Sequence, residues 1–232
     1  SVTRNFSYVK AVINFALSEF ALDVRNPFVG VYHDRSKGVV SRKPIPLDDL
    51  RSVQRECMQI DDDLRWLVAL VSDTGMRLAE ATGLSLNDFN LQADIPFVEV
   101  RPHPWRSLKT SASARVVPLS GIAPWAAQRI LQEADASPYA FPRYNRGSRT
   151  SANSASAAIN KWLKNHVPAG CTMHSFRHSM RDRLRAVQCP ADIANQIGGW
   201  ATEGVGQGYG SGYPIDVLSE WMGKTVAASE VG

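Results

Sequence analysis

Cysteine is scarce in this 232-residue chain, which has three such residues: Cys57, Cys171 and Cys189. Because the number is odd and no C-x-x-C pair occurs, the sequence argues against a disulfide framework and a structural zinc site, and it favours a reducing compartment. Long apolar runs are also lacking, since the longest, Leu67–Val71, is far shorter than the roughly 18 residues of a membrane span. No secretory signal is expected, because the amino-terminal segment mixes charged and apolar side chains.

What the chain does contain is ordinary for a globular protein. Hydrophobic residues make up 44% of it and charged residues 21%, which excludes the disordered, collagen-like and fibrous classes. At roughly 100 to 200 residues per domain, the length allows one large domain, or one domain plus a fragment.

Charge is distributed unevenly along the sequence. The net charge is +4, from 26 Lys and Arg against 22 Asp and Glu. Between Arg101 and Arg185, however, 14 basic residues accompany three acidic ones, a net +11, so the rest of the chain carries −7. This polarity favours a surface that binds a polyanion, most often nucleic acid, although a purely solvated surface would give the same pattern.

Apolar spacing and turn residues predict a mainly helical chain with a small antiparallel sheet. We expect helices at 5–22, 46–59, 62–74, 76–83, after 121, and at 152–165, 174–187, 190–197 and 214–226. The 62–74 helix has Asp61 or Asp62 as its N-cap, and its buried face consists of Leu64, Leu67, Val68 and Val71. Strand character appears at 95–100 and 116–119, whereas 29–46 and 138–147 are predicted as loops.

Two segments place functional side chains three positions apart, a spacing that puts both on one face of a helix. Arg77 and Glu80 form the first pair, just after the helix-breaking Gly75. His174 and Arg177 form the second. Each pair also has an ordinary explanation: a helical salt bridge for the first, and a capping histidine beside a surface arginine for the second.

The order of these and later residues resembles the catalytic series of the tyrosine recombinases, or phage integrases. The resemblance covers roughly residues 44–226. It consists of Arg77-x-x-Glu80, Lys109 followed by Arg115-Val116-Val117-Pro118-Leu119, His174-x-x-Arg177, Gly199-Trp200, and Tyr209 nine residues later. It implies the integrase catalytic fold, mainly α with a small antiparallel β-sheet, and a site-specific recombinase that breaks and rejoins double-stranded DNA.

The resemblance also implies a division of the chain. Residues 1–28 correspond to the terminal helix of a mostly absent core-binding domain, 29–45 to a linker, and 46–232 to the catalytic domain with its C-terminal tail helix. In such recombinases the tail often docks on the next subunit, so it either packs on its own core or on a neighbour. The expected assembly is a homotetramer on DNA, with a free monomer, at the nucleoid in the cytoplasm of a bacterial host.

Cleaving DNA without metal or water requires a nucleophile that forms a covalent ester, and tyrosine suits because its phenolate leaves readily in the reverse step. The resemblance gives this role to Tyr209, which would form a 3′-phosphotyrosine link and release a 5′-hydroxyl. Arg77 and Arg177 would bind the phosphate oxygens, where negative charge accumulates. Because one ester replaces another at each step, no cofactor or metal is expected.

The resemblance assigns supporting roles to the remaining residues. Lys109 would protonate the departing oxygen, His174 would assist proton transfer from the phenol, and Glu80 would orient Arg77 or His174. Trp200 stands where the family has His or Trp. Its indole N–H can donate a hydrogen bond but cannot shuttle a proton, so its role would be positional, alongside or instead of core packing.

The residues alone leave alternatives open for the nucleophile and for the function. Tyr213 competes with Tyr209 for the role of nucleophile, although the family's spacing selects Tyr209. Glycine at alternate positions across 204–212 predicts that Tyr209 is ordered only by DNA or a neighbouring subunit. A type IB topoisomerase, an inactive DNA-binding architectural protein and a helical RNA-binding protein are the alternative functions. The Trp200 position and the glycine-rich segment are compatible with a phage or other mobile genetic element.

Overall fold

The computed structural model describes residues 2–32, 43–110, 113–200 and 212–230. The chain divides into two compact units, Ser1–Ser41 and Arg42–Gly232. No helix within these described ranges is both long and apolar enough to cross a membrane.

The described part of the shorter unit is a helix followed by a turn. Helix α1 (Val2–Glu19) begins and ends three residues earlier than the predicted 5–22. It ends early because Ala21 has a left-handed backbone conformation, with φ of 47°. Asn26 then accepts a hydrogen bond on its side chain from the backbone N–H of Phe28, at 2.9 Å, which fixes the turn.

The longer unit consists mainly of helices that lie close to the predicted positions. They are α2 (Leu47–Ile60), α3 (Asp63–Thr74), α4 (Leu78–Thr82), α5 (Ala123–Gln132), α6 (Ala152–Leu163), α7 (Ser175–Ala186), α8 (Ala191–Gly198) and α9 (Ile215–Glu230). The predicted start of α4 at residue 76 is wrong, because Arg77 has an extended backbone and serves as the N-cap. Helix α9 continues four residues beyond the predicted end at 226.

Two small antiparallel sheets lie in the described part of the longer unit. Their strands are β1 (Phe89–Asn90), β2 (Phe97–Val100), β3 (Arg115–Pro118), β4 (Asn145–Arg146) and β5 (Arg149–Thr150). Strands β2 and β3 confirm the two predicted strands, and Val98 pairs with Val117. The prediction of 138–147 as a loop is wrong where it includes β4, because a two-residue strand carries too little alternation for a pattern to reveal.

Helix α3 is the centre of the hydrophobic core. Its predicted buried face is confirmed, but its other faces are buried as well, because α2, α5 and α7 all pack against it. The side chain of Asp62 accepts the backbone N–H of Arg65 at 2.9 Å, which confirms it as the N-cap. The helix ends at Gly75, so the segment that leads to Arg77 starts from a fixed point in the core.

Helix α9 packs on its own unit, against α7 and β3. Leu218, Met222 and Thr225 are at most 2% exposed. Arg183 of α7 donates a hydrogen bond to Thr225 Oγ1 at 3.5 Å. Of the two arrangements expected for the tail helix, the single chain therefore adopts the one in which the helix covers its own core.

Candidate active site

Arg77 and Glu80 meet at the start of α4, as their spacing predicts. The backbone N–H of Arg77 donates to Glu80 Oε2 at 2.9 Å, and its Nη1 donates to Glu80 Oε1 at 2.5 Å. The pair closes a capping box on the first turn of this five-residue helix. The ordinary explanation, a salt bridge within one helix turn, is thus geometrically correct, but it does not describe all of the contacts of Glu80.

Glu80 also binds Arg115, which lies at the start of β3. Arg115 Nη2 donates to Glu80 Oε2 at 3.0 Å, and the two side chains are 3% and 5% exposed. Burial acts to raise the pKa of Glu80, but the charge of Arg115 and the hydrogen bonds from Arg115 and Arg77 outweigh it and hold that pKa below its usual value. Sequence reasoning assigned no role of its own to Arg115, although a charged residue at the start of an apolar strand was a signal that could have identified it.

Both arginines also hold the backbone at the end of α8. Arg77 Nη2 donates to the carbonyl of Gly199 at 2.9 Å, and Arg115 Nε donates to the carbonyl of Ile197 at 2.9 Å. Gly199 has a left-handed backbone with φ of 59°, and a Cβ there would lie 2.7 Å from Arg115 Nη1. The glycine is therefore required both by its conformation and by the close guanidinium.

Arg177, in the first turn of α7, is the third guanidinium of the cluster. It is 5% exposed, and its Nη1 donates to the carbonyl of Gly75 at 2.7 Å. Its Nη2 is buried with no hydrogen-bond partner among the described residues. Burial, followed by the charges of Arg77 and Arg115, lowers the pKa of Arg177 to about 9. Within the described residues, the guanidiniums of Arg77, Arg115 and Arg177 lie around the carboxylate of Glu80, and their excess positive charge favours an anion.

Trp200 lies against this cluster, through contacts with two arginines of α7. The guanidinium carbon of Arg177 is 4.5 Å from the centroid of a Trp200 ring, and that of Arg181 is 4.7 Å away. Asn195 ties the group together, because its carbonyl accepts the backbone N–H of Trp200 at 3.0 Å and its Oδ1 accepts Arg181 Nη1 at 2.6 Å. The sequence did not predict a role for Arg181.

His174 and Lys109 are both exposed. His174 is the N-cap residue of α7, but its side chain does not cap the helix amides, and its ring lies 5.2 Å from that of His178, centroid to centroid. Lys109 lies between β2 and β3, in the connection where the sequence places it.

The two candidate tyrosines differ in what the structure describes. Tyr209 lies outside the described residues, as does the glycine-rich segment 204–212 except for Gly212. Tyr213 donates its hydroxyl hydrogen to Asp192, and this bond raises the pKa of the phenol. Its backbone N–H donates to Gln196 Oε1 at 2.8 Å, and its carbonyl accepts Gln196 Nε2 at 2.9 Å. Tyr213 thus anchors the chain on α8.

No group of three or more His, Cys, Asp or Glu side chains within the described ranges is placed to hold a metal ion. All three cysteines are free, and burial raises the pKa of Cys57 to about 12. The polar groups that converge in the site are thus guanidiniums, a carboxylate and an indole.

The sequence was compared with models of protein families and with curated proteins. The model of the phage integrase family matches residues 48–211, more than half of the chain. No curated relative matches the chain in sequence.

Solved structures of low sequence identity share the fold. A fragment of the Tn1549 transposon integrase, in complex with circular intermediate DNA, is 16% identical, with a TM-score of 0.63 over 95% of this chain and 78% of that one. The XerA recombinase is 21% identical, with a TM-score of 0.53 over 95% and 74%. An integrase from mycobacterium phage Brujita is 13% identical, with a TM-score of 0.53 over 95% and 70%.

Proposed function

The chain belongs to the phage integrase family, the tyrosine recombinases, and from this premise we propose that Tyr209 is its nucleophile and that Arg77 and Arg177 hold the DNA phosphate. The protein is a site-specific DNA recombinase, an enzyme that breaks and rejoins strands by transesterification. DNA is its partner, as it is for the Tn1549 integrase of the same fold. The family gives the reaction, and the residues of this chain determine how it proceeds here.

The Nη2 of Arg177, which is buried and has no hydrogen-bond partner in the part of the chain that the structure describes, is the observation that best supports the phosphate site. A buried guanidinium beside two like charges is costly, and an unmade hydrogen bond adds to that cost. A phosphate oxygen placed against Arg177 would supply both the acceptor and the negative charge. Charge on those oxygens grows in the transition state, so the same contacts lower the barrier to cleavage.

Arg77 would complete the phosphate site from the other side. Its Nη1 and Nη2 are oriented by Glu80 and by the Gly199 carbonyl, so the guanidinium is preorganised before DNA binds. Glu80 is the positioning carboxylate, because it binds Arg77 and Arg115 at once. Trp200 packs on Arg177 and would orient it while donating its indole N–H.

The proton transfers fall to the two exposed groups. The departing 5′ oxygen needs a proton, and Lys109 lies in a surface connection from which its ammonium can reach DNA. His174 precedes the helix that carries Arg177, so it would face the same phosphate and take the phenol proton. The 5′-hydroxyl then attacks the partner duplex's phosphotyrosine, which restores the tyrosine.

Tyr209 is preferred over Tyr213 on two grounds. The family's spacing from Gly199-Trp200 selects Tyr209, and Tyr213 is already held by Asp192 and Gln196. Tyr213 would instead fix the carboxyl-terminal end of the segment that carries Tyr209.

Assembly and domain arrangement follow from the same family. Four copies on two duplexes would supply the four cleavages of an exchange, with residues 1–28 as the end of a core-binding domain, 29–45 as a linker and 46–232 as the catalytic domain. The tail helix α9 would be able to exchange between copies. We place the enzyme on the nucleoid of a bacterial host, as part of a mobile genetic element.

Covalent trapping on a nicked suicide substrate tests the nucleophile. The substrate carries the attachment site taken from the DNA that flanks the gene, and it loses the fragment needed for religation. We expect the unmodified chain and Tyr213→Phe to form the adduct, and Tyr209→Phe to bind DNA without forming it. An adduct formed by Tyr209→Phe would overturn the assignment. Relaxation of supercoiled DNA by a monomer without paired sites would favour a type IB topoisomerase instead.

A further inference from the structure

The β4–β5 hairpin places two arginines directly opposite each other. Arg146 and Arg149 are cross-strand partners, and both side chains are exposed. Neither forms an ion pair with a carboxylate within the described ranges. Like charges at directly opposed positions, with Cβ atoms about 5 Å apart, destabilise an antiparallel pair. The arrangement is unfavourable in isolation and becomes favourable when an anion lies between the two guanidiniums.

A basic cleft of about 640 Å³ lies beside the hairpin. Its walls include Arg143, Arg146 and Arg149, followed by polar residues at the start of α6: Ser151, Asn153 and Ser154. No acidic side chain in the described part of the chain lines it. Arg143 has a carboxylate nearby, because its Nη1 lies 3.6 Å from Asp63 Oδ1. The free positive charge of the cleft therefore belongs to Arg146 and Arg149.

The hairpin is held firmly beside the active site. Asn145 Nδ2 donates to the carbonyl of Thr82 at 2.8 Å, and the Tyr139 hydroxyl donates to the carbonyl of Gly147, at the hairpin turn, at 2.8 Å. Thr82 is the last residue of α4 and Arg77 is its N-cap, so the two lie about 8 Å apart along the helix axis at 1.5 Å per residue. The hydrogen bond to Thr82 thus attaches the hairpin to the helix whose N-cap is Arg77.

We propose that Arg146 and Arg149 together bind one phosphate of the DNA backbone other than the scissile phosphate. The inference rests on the proposed function, because DNA supplies the anion. Two opposed guanidiniums can bind the oxygens of one phosphodiester from both sides. The contact is to the backbone and not to a base edge, so it contributes affinity and register without reading sequence.

The salt dependence of DNA binding tests whether Arg146 and Arg149 contact a phosphate. The double variant Arg146→Gln, Arg149→Gln is made in the full chain with Tyr209→Phe, and its binding to a generic 30-base-pair duplex is measured by fluorescence anisotropy from about 50 to 200 mM NaCl. Each lost phosphate contact reduces the logarithmic salt slope by about 0.9. Affinity for the duplex should drop between about 50 and 200 mM NaCl in both proteins. We expect the fold-loss to be about 3.5 times smaller in the double variant than in the chain that carries Tyr209→Phe alone.

A charge-matched variant is the control. Arg185→Gln with Lys224→Gln removes the same two charges, but each of these residues is paired with a neighbouring carboxylate, Asp182 and Glu220 respectively. The control should keep the full salt slope. The proposed phosphate contact would be overturned if the salt slope were unchanged in the hairpin variant, or if the control lost as much of its slope. Neither result would affect the proposed function. Failure of the unmodified chain to bind duplex DNA at low salt would instead contradict the proposed function.

Discussion

Glu80 and Arg115 form a buried ion pair across 35 residues of sequence, with Arg115 Nη2 donating to Glu80 Oε2 at 3.0 Å. Since Glu80 also binds Arg77, one carboxylate orients two guanidiniums and offsets one of the three positive charges in the cluster. The remaining charge is available for a phosphate. The contact thus connects the stability of the fold to the chemistry of the site.

Replacing Glu80 by Gln should destabilise the protein in a pH-dependent way. The folded-state pKa of Glu80 is lowered, so its contribution is fully present above the unfolded-state value of about 4.3 and is lost as pH falls through the folded value. We expect Glu80→Gln to lower the free energy of unfolding by about 3 kcal/mol at pH 7. The difference in stability between the variant and the unmodified chain should narrow below about pH 4. Urea unfolding from pH 7 to pH 3 measures it.

The exposed pair of Glu133 with Arg129 supplies the control for that experiment. Because solvent screens this pair, Glu133→Gln should cost less than about 1 kcal/mol at pH 7. A Glu80→Gln penalty that stays constant down to pH 3, or one no larger than that of the control, would contradict the shared-carboxylate interpretation.

Gly199→Ala should be far more damaging than its conformation alone explains. Gly199 and Gly147 both have φ of 59°, but a Cβ at Gly147 would meet nothing within 4 Å, whereas at Gly199 it would meet Arg115. We expect Gly147→Ala to cost about 1 to 2 kcal/mol for the left-handed backbone, and Gly199→Ala to cost more and also to slow cleavage. Equal unfolding free energies for the two variants would show that the contact with Arg115 is unimportant.

Arg181 should influence cleavage through Trp200. Removing its side chain in Arg181→Ala frees one side of the indole, so we expect about tenfold slower single-turnover cleavage, with DNA affinity nearly unchanged. Arg181→Lys keeps the charge but not the planar group that stacks on the ring, and it should not restore the rate. The control, Arg185→Ala, lies on the same helix and should cleave normally. Full rescue by lysine would mean that charge, not stacking, is what matters.

Inorganic phosphate should stabilise the free protein by filling the guanidinium cluster. At ten times its dissociation constant it adds about 1.4 kcal/mol to the free energy of unfolding, which a thermal melt at constant ionic strength detects. When Arg146→Gln and Arg149→Gln have removed the hairpin site, Arg177→Gln should lose this response, whereas Arg185→Gln should keep it. A phosphate effect of equal size in both variants would place the anion elsewhere.

The sequence predicted the parts of the site that depend on short spacing. Arg77 and Glu80 meet because they are the N-cap and the third residue of α4, and the β2–β3 connection carries Lys109 as expected. The bond from Glu80 to Arg115 joins residues on different elements, so no local pattern indicates it. Arg181 has the sequence signature of a surface charge, and only the packing of α7 against Trp200 gives it another role.

The β4–β5 hairpin shows that the fold, like the site, is only partly predictable from sequence patterns. The long helices have apolar spacing that repeats over several turns, so their existence and approximate bounds are predictable. Strands β4 and β5 have two residues each, and tertiary hydrogen bonds from Asn145 and Tyr139 hold them in place. Their formation depends on contacts with distant elements, which a sequence pattern does not contain.

Tandem mass spectrometry that locates the DNA-linked residue tests directly whether Tyr209 is the nucleophile. The unmodified chain is trapped on the suicide substrate, digested with nuclease and trypsin, and the peptide that spans 186–224 is fragmented to find the nucleotide remnant. We expect the remnant to be attached to Tyr209. Attachment to Tyr213, or to any residue other than Tyr209, would contradict it.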